Sequence, residues 1–291
     1  MIRNILLWLR IIRPQTLFAS LVPVLVAGVL VSETAYAVNS ITLCVTAFCA
    51  LSLQVLSNLI NDYYDYLRGT DKAGRKGFKR ALAEGEVTPK AMLCACLLAA
   101  AVACLLGLYL VYTGGVVILV IGLTALLFAW LYTATPYSLS YLGIADIFVF
   151  LYYGVIACSG TAYLLLCGEE HTDGWNATIL SSVYAGAVSG CISMCVLMIN
   201  NLRDIVSDRT VGKRTFPVRF GKNAAHIFLF IIVLLMPLFA YLAFRSPLPM
   251  LVFIPAFVLW MKIIRSEGAA YNKCLVFAGM INLIYLILCC L

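Results

Sequence analysis

The sequence predicts an all-α integral membrane protein, with nine transmembrane helices around a central cavity and a cytoplasmic N-terminus. Three observations lead there. The chain is 64% hydrophobic and 11% charged over 291 residues, with a mean hydropathy of +1.02, too apolar for a soluble domain of that length. Charge-free runs at 14–32, 35–61, 91–145 and 223–244 (His226 taken as neutral) approach or exceed the roughly 20 residues needed to cross about 30 Å of hydrocarbon. No period-two alternation suggests a β-barrel, so helices must satisfy the backbone groups within lipid.

The first span, 15–32, starts after Arg13-Pro14, too embedded in the pattern to read as a cleaved signal peptide. The second, 40–61, runs up to Asp62. The run 91–145 is too long for one crossing. It breaks at Thr113-Gly114-Gly115 and again across 133–140, where Pro136 sits, giving spans 91–112 and 116–133 and the start of a fifth, 143–167. Spans 177–201, 224–243, 247–263 and 271–290 complete the nine. With the N-terminus inside, the loops 62–90, 202–222 and 262–273 share its side, and 19 of the 20 Lys and Arg fall there; only Arg245 lies outside. The outward loop 168–176 carries Glu169, Glu170 and Asp173 without a basic residue. This satisfies the positive-inside rule, and one helix more or fewer in the middle would destroy the agreement.

The net charge of +7 follows from those inward loops and is read as topology, not as nucleic-acid binding. The twelve cysteines lie mostly within apolar spans and lack C-x-x-C spacing, so they are read as small, polarisable packing residues. His171 and His226 fall on opposite sides, which excludes a haem or copper centre built from both. One membrane domain, 1–291, is expected, with a faint internal repeat: N-x-x-x-D at 58–62 and again at 200–204, each at the inward end of a helix before a basic loop. Two four-helix halves, about 15–133 and 143–263, plus a ninth helix at 271–290, fit that repeat.

The chemistry concentrates in the same two places. Asp62 and Asp65 are three residues apart, Asp204 and Asp208 four, so on a helix each pair shares a face. Paired carboxylates either repel and raise each other's pKa or hold a divalent cation. Mg²⁺ takes one or two carboxylates, keeps waters and completes its shell with phosphate oxygens. Two facing pairs would be strongly anionic when empty and so would need metal. Arg68, Lys72, Arg75, Lys76, Lys79 and Arg80 follow the first pair; Arg203, Arg209, Lys213, Arg214, Arg219 and Lys222 surround the second. Positive-inside topology explains basic residues in general, but not the Asp pairs, because an acid near the membrane boundary is costly. Carboxylates for metal beside cations suit a diphosphate, and a diphosphate at the mouth of an apolar cavity suits a polyprenyl diphosphate. Departure of diphosphate would leave an allylic cation, which ring faces can shield. Tyr63, Tyr64, Tyr66, Trp130, Tyr132, Tyr137, Tyr141, Phe148, Tyr152 and Tyr153 are near the inward end, most of them as interface or packing residues.

"NDYYDYLRGTD" and "NNLRDIVSDRTVGKRT" resemble the two Asp-rich motifs of the UbiA superfamily of intramembrane aromatic prenyltransferases. The first is similar to N-D-Y-x-D-x-x-x-G-x-D of the 1,4-dihydroxy-2-naphthoate branch. The 4-hydroxybenzoate branch usually has N-D-x-x-D-x-x-x-D, whereas here Gly69 stands four residues after Asp65 and the third acid is Asp71. The stretch 141–163 also resembles the fifth helix of the naphthoate branch, and the resemblance covers nearly the whole chain.

The resemblance implies that Asp62, Asp65 and Asp71 hold one Mg²⁺, with Asn58 and Asn61 as ligands or orienters. It implies that Asp204 and Asp208 hold a second, with Asn200 and Asn201 in similar roles. Arg75, Lys79, Arg80, Arg203 and Lys213 become candidates for diphosphate. The loop "TPYSLSYLG" lacks the Lys that some relatives carry after a Tyr-Pro pair. Asp146, one turn inside the fifth helix, is a candidate to orient a phenolic hydroxyl of the acceptor or accept its proton; its bland alternative is a boundary acid reaching for water or a loop arginine. The expected reaction transfers a polyprenyl group to 1,4-dihydroxy-2-naphthoate with loss of CO₂ and diphosphate, giving a demethylmenaquinone in a bacterial cell membrane, at its cytoplasmic side. The nearest alternatives change the acceptor to 4-hydroxybenzoate, homogentisate or a lipid phosphate. A cation transporter would place its acids near the midplane, and a CDP-alcohol phosphotransferase would carry one compact D-G-x-x-A-R signature, which the sequence lacks.

Overall fold

A computed structural model describes the chain except residues 1, 70–79 and 135–137 and the side chains of 2–4 and 140. All regular structure among the described residues is helical. In chain order it runs α1 (Ile2–Ile12), α2 (Pro14–Ser32), α3 (Ser40–Leu67), α4 (Pro89–Leu131), α5 (Leu139–Leu142), α6 (Ala145–Phe150), a wide turn (Leu151–Val155), α7 (Ile156–Leu165), α8 (Asp173–Arg203), α9 (Ile205–Thr210), α10 (Phe216–Phe244), α11 (Phe253–Ile264) and α12 (Tyr271–Cys290). Among the described residues seven elements are long and apolar enough to cross a membrane, and the shorter apolar stretch Pro249–Ile264 joins them. The protein is a multi-pass membrane protein.

Three differences from the sequence reading have physical causes. The break expected at 113–115 narrows to Gly115 alone, whose φ of 63° and ψ of −150° interrupt a 43-residue helix. At about 1.5 Å per residue that helix is near 65 Å long, twice a bilayer core. The second expected break, at Pro136, falls outside the described residues. An eleven-residue helix, α1, also precedes the first predicted span. It is too short and too charged to register as a span, yet Leu7, Trp8 and Ile11 pack with Leu56, Leu59 and Ile60 of α3.

Helix α8 is the centre of the bundle. It packs against α2, α7, α10 and α12, and small residues let its neighbours approach closely, as in other membrane helix pairs. A Cβ on Gly154 would lie 2.4 Å from the Gly186 carbonyl oxygen and 2.5 Å from the Gly190 Cα. In the wide turn that carries Gly154, the Ile156 N–H reaches back five residues to the Leu151 carbonyl; such turns recur at functional sites. Its Tyr152 and Tyr153 face the interior cavity. Gly154→Ala has only backbone to push against, and overpacking of this kind costs about 1–3 kcal/mol. The unfolding midpoint in detergent is expected to fall by several degrees, and an unchanged midpoint would contradict this close contact. Cys158, Cys191, Cys195, Cys274 and Cys289 sit in the main core cluster, and all twelve cysteines are free thiols.

Candidate active site at the two Asp motifs

Helix α3 continues as one helix through its acidic motif, so Asp62 and Asp65 lie one turn apart, 3% and 4% exposed. The second pair departs from the expected single helix. Asp204 ends α8 with φ −97° and ψ 10°, and α9 restarts at Ile205. The Asp208 N–H still donates to the Asp204 carbonyl at 2.8 Å, which keeps the two carboxylates a turn apart. Asp208 is buried.

Two adjoining cavities of about 460 Å³ each meet at these motifs. The polar one is lined by Asp62 and Arg80 beside Asn200 and Arg203, together with Arg10 and Arg13. The other is mostly apolar and reaches along α3 from Asn61 to Thr46, about 22 Å at the helical rise. Phe128, Phe148, Tyr152 and Tyr153 line it, and Phe128 packs on Phe148 and Tyr152 at 4.3 and 5.0 Å between ring centres. Arg13, Thr16, Val196 and Asn200 border both cavities. A polar mouth therefore opens onto an apolar chamber.

The motifs meet in three dimensions. The Lys213 ammonium, beyond the second motif, stands 3.5 Å from Asp65 Oδ1 of the first.

The charge state corrects one expectation. The chain's own cations offset the acids. Asp62 is ion-paired with both Arg13 and Arg80, Asp65 with Lys213 and Asp204 with Arg203, through bonds of 2.9 and 2.8 Å. Burial makes an uncompensated carboxylate costly, so basic residues of the neighbouring loops settle on them. Among the described residues no three His, Cys, Asp or Glu side chains converge into a metal-binding group. The third acid, Asp71, and the candidates Arg75 and Lys79 fall outside the described residues.

The asparagines divide. The Asn58 side chain is committed to structure: its Nδ2 donates to the Ile12 carbonyl at 2.9 Å and to Thr16 at 3.0 Å, and its Oδ1 accepts from Gln54. Asn61 and Asn200 line the cavity, and the buried Asn61 Oδ1 has no hydrogen-bond partner. Asn201 is buried and lines neither cavity. Asp146, in the first turn of α6, is 8% exposed, with a buried, unpartnered Oδ1. The donor set fits Mg²⁺: it is all oxygen, carries paired carboxylates, and has an orphaned amide oxygen facing the cavity.

Sequence reasoning missed Arg13 as a site residue. Its backbone is left-handed, with φ 58° and ψ 72°, a conformation costing a non-glycine residue on the order of 1–3 kcal/mol and typical of functional corners. The only sequence signal was an arginine directly before Pro14. Arg203 also bonds Asn272 of α12 at 2.9 Å, a partner 69 residues away that no local pattern indicates.

Known proteins resemble this chain in sequence and in fold. The pattern of the UbiA prenyltransferase family matches residues 20–283. The chain is 33% identical over 221 residues to the 1,4-dihydroxy-2-naphthoate octaprenyltransferase of Escherichia coli (strain K12), covering 74% of this chain and 68% of that protein. It is 31% identical over 221 residues to the Bacillus subtilis (strain 168) protein of the same name, covering 76% and 67%. The apo structure of a UbiA homolog from Aeropyrum pernix K1 superposes with a TM-score of 0.70 at 15% identity, covering 94% of this chain and 96% of that one. A UbiA homolog from Archaeoglobus fulgidus, bound to DMAPP and Mg²⁺, superposes with a TM-score of 0.67 at 16% identity over 97% of each chain. The chain belongs to the UbiA prenyltransferase family.

Proposed function

We propose that this protein transfers a polyprenyl group from its diphosphate to 1,4-dihydroxy-2-naphthoate, in a bacterial cell membrane, with the active site on the cytoplasmic side. The observation that carries the reading is the polar mouth, lined from both Asp motifs, opening onto a chamber about 22 Å deep. The naphthoate acceptor is supported by the names of the relatives and by Gly69 and Asp71 in the first motif. Nine spans as two four-helix halves plus a last helix, N-terminus inside, belong to the same proposal; the break at Gly115 supports counting α4 twice.

Asp62, Asp65 and Asp71 would hold one Mg²⁺ and Asp204 and Asp208 the other, with Asn61 and Asn200 completing the oxygen set. When bound, the metal supplies Lewis-acid charge to the departing diphosphate. Arg13, Arg80, Arg203 and Lys213, with Arg75 and Lys79 from the loop, neutralise the diphosphate oxygens as the bond between prenyl C1 and oxygen breaks. Phe128, Phe148 and Tyr152 line the chamber, exclude water and turn ring faces toward the developing allylic cation. Asp146 accepts a hydrogen bond from an acceptor hydroxyl and raises the electron density of the ring. The ring carbon bearing the carboxylate bonds to C1, CO₂ leaves with its bonding pair returned to the ring, and the product is the quinol form of demethylmenaquinone.

The test uses purified protein in nanodiscs with geranylgeranyl diphosphate, Mg²⁺ and either 1,4-dihydroxy-2-naphthoate or 4-hydroxybenzoate, with product followed by mass. Product with loss of CO₂ from the naphthoate alone is expected. Product from 4-hydroxybenzoate alone would sink the acceptor assignment and keep the prenyl transfer.

A further inference from the structure

Helix α1 has two faces. Leu7, Trp8 and Ile11 turn inward onto α3 and the Ala81-Leu82 turn. Ile5, Leu6 and Leu9 turn outward, 53%, 61% and 48% exposed. The i, i+4 spacing of Ile5 with Leu9 and of Leu7 with Ile11 separates them. The level of α1 relative to the bilayer follows from its partners. Trp8 shares a cluster with Tyr63 and Tyr64, and Tyr64 meets the exposed Trp130 edge-on at 5.5 Å. Tyr and Trp at the ends of membrane helices mark the headgroup level. Arg10, exposed and paired with Glu86, keeps α1 out of the hydrocarbon core, and Pro14 begins the first span immediately after it.

We infer that α1 is an interfacial helix whose Ile5-Leu6-Leu9 face is seated in the headgroup–acyl boundary of the bilayer, and that this seating holds the mouth of the active site in shape. The coupling runs through two residues. The Ile12 carbonyl that ends α1 receives the Asn58 amide at 2.9 Å. Arg13, the next residue, holds its left-handed corner while paired to Asp62 and bordering both cavities. A helix of eleven residues is marginal alone in water, and a strained corner persists only when its surroundings fix it. Burial of three large apolar side chains in the interface supplies that support from the membrane side.

The test has two arms. In the first, a fluorescent non-natural residue replaces Leu6 in the full-length protein in nanodiscs, with lipids brominated either near the glycerol or near the tail end. Strong quenching by the glycerol-proximal bromines and weak quenching by the others is expected. No quenching from either lipid, or stronger quenching from the tail ends, overturns the seating. The second arm rests on the prenyl-diphosphate reading. Leu6→Glu/Leu9→Glu and the milder Leu6→Ser/Leu9→Ser are compared with wild type for geranylgeranyl diphosphate binding in Mg²⁺. About tenfold weaker binding is expected, the loss of one charge-assisted hydrogen bond. Unchanged affinity in the serine variant, with an unchanged unfolding midpoint, overturns the coupling. Failure of wild type to bind the diphosphate would count against the proposed function and leave the first arm intact.

Discussion

Asp62→Asn is expected to lose about a thousandfold in Mg²⁺-dependent prenyl transfer while the protein remains folded. Asp62 is 3% exposed and faces the polar cavity between Arg13 and Arg80. Its charge is therefore paired with two arginines and, in the proposed reaction, with the metal as well. Removing one preorganised electrostatic contact of this kind costs roughly 10²–10³ in turnover, and loss of a metal ligand compounds it. The asparagine keeps the shape and one acceptor oxygen, so the two arginines stay hydrogen-bonded and the stability loss stays near 1–3 kcal/mol. Asp62→Ala removes both, and a larger fall in the unfolding midpoint should accompany the same loss of rate. EDTA on wild type should abolish turnover without moving the midpoint as far. The alternative is that Asp62 exists to bind the two arginines. In that case Asp62→Asn would retain more than a tenth of the wild-type rate, an outcome that would end the metal-ligand assignment.

The sequence made the long apolar helices and both acidic motifs legible for a common reason: hydrocarbon tolerates so little charge that position alone carries information. A run of uncharged residues ending at Asp62 reports both a helix and its boundary. Charge pairing is a different matter. Arg13 lies 49 residues from Asp62 in the chain, and Lys213 lies 148 from Asp65. Taking the two facing Asp pairs by themselves therefore suggested a strongly anionic site, where the fold brings a cation to each of three carboxylates. Helix α1 was hidden for the opposite reason. Its signal is amphipathic periodicity over eleven residues, and a search for long apolar runs passes over it. The Asp204–Asp208 pair was legible as a spacing but not as a shape, since the i, i+4 pattern survives the change of direction at Asp204.

Asp146→Asn is expected to lower kcat/KM for the aromatic acceptor about a hundredfold, leave the affinity for prenyl diphosphate unchanged, and raise stability slightly. An acid in the first turn of a helix is favoured by the helix dipole, and that alone would account for an exposed Asp146. It does not account for a buried one. Asp146 is 8% exposed and its Oδ1 has no partner, and a buried oxygen without a donor costs about 1–3 kcal/mol. A boundary acid reaching for water is expected to be exposed, and Asp146 is not. On the proposed reading that donor is an acceptor hydroxyl, reached from the apolar cavity that Phe148 and Val149 of the same helix line. A purely structural Asp146 would leave kcat/KM for the acceptor unmoved by the asparagine substitution. A fall in acceptor kcat/KM together with a rise in the unfolding midpoint is the opposite pairing, and it is the one expected where burial of a charge is kept for chemistry at the expense of stability.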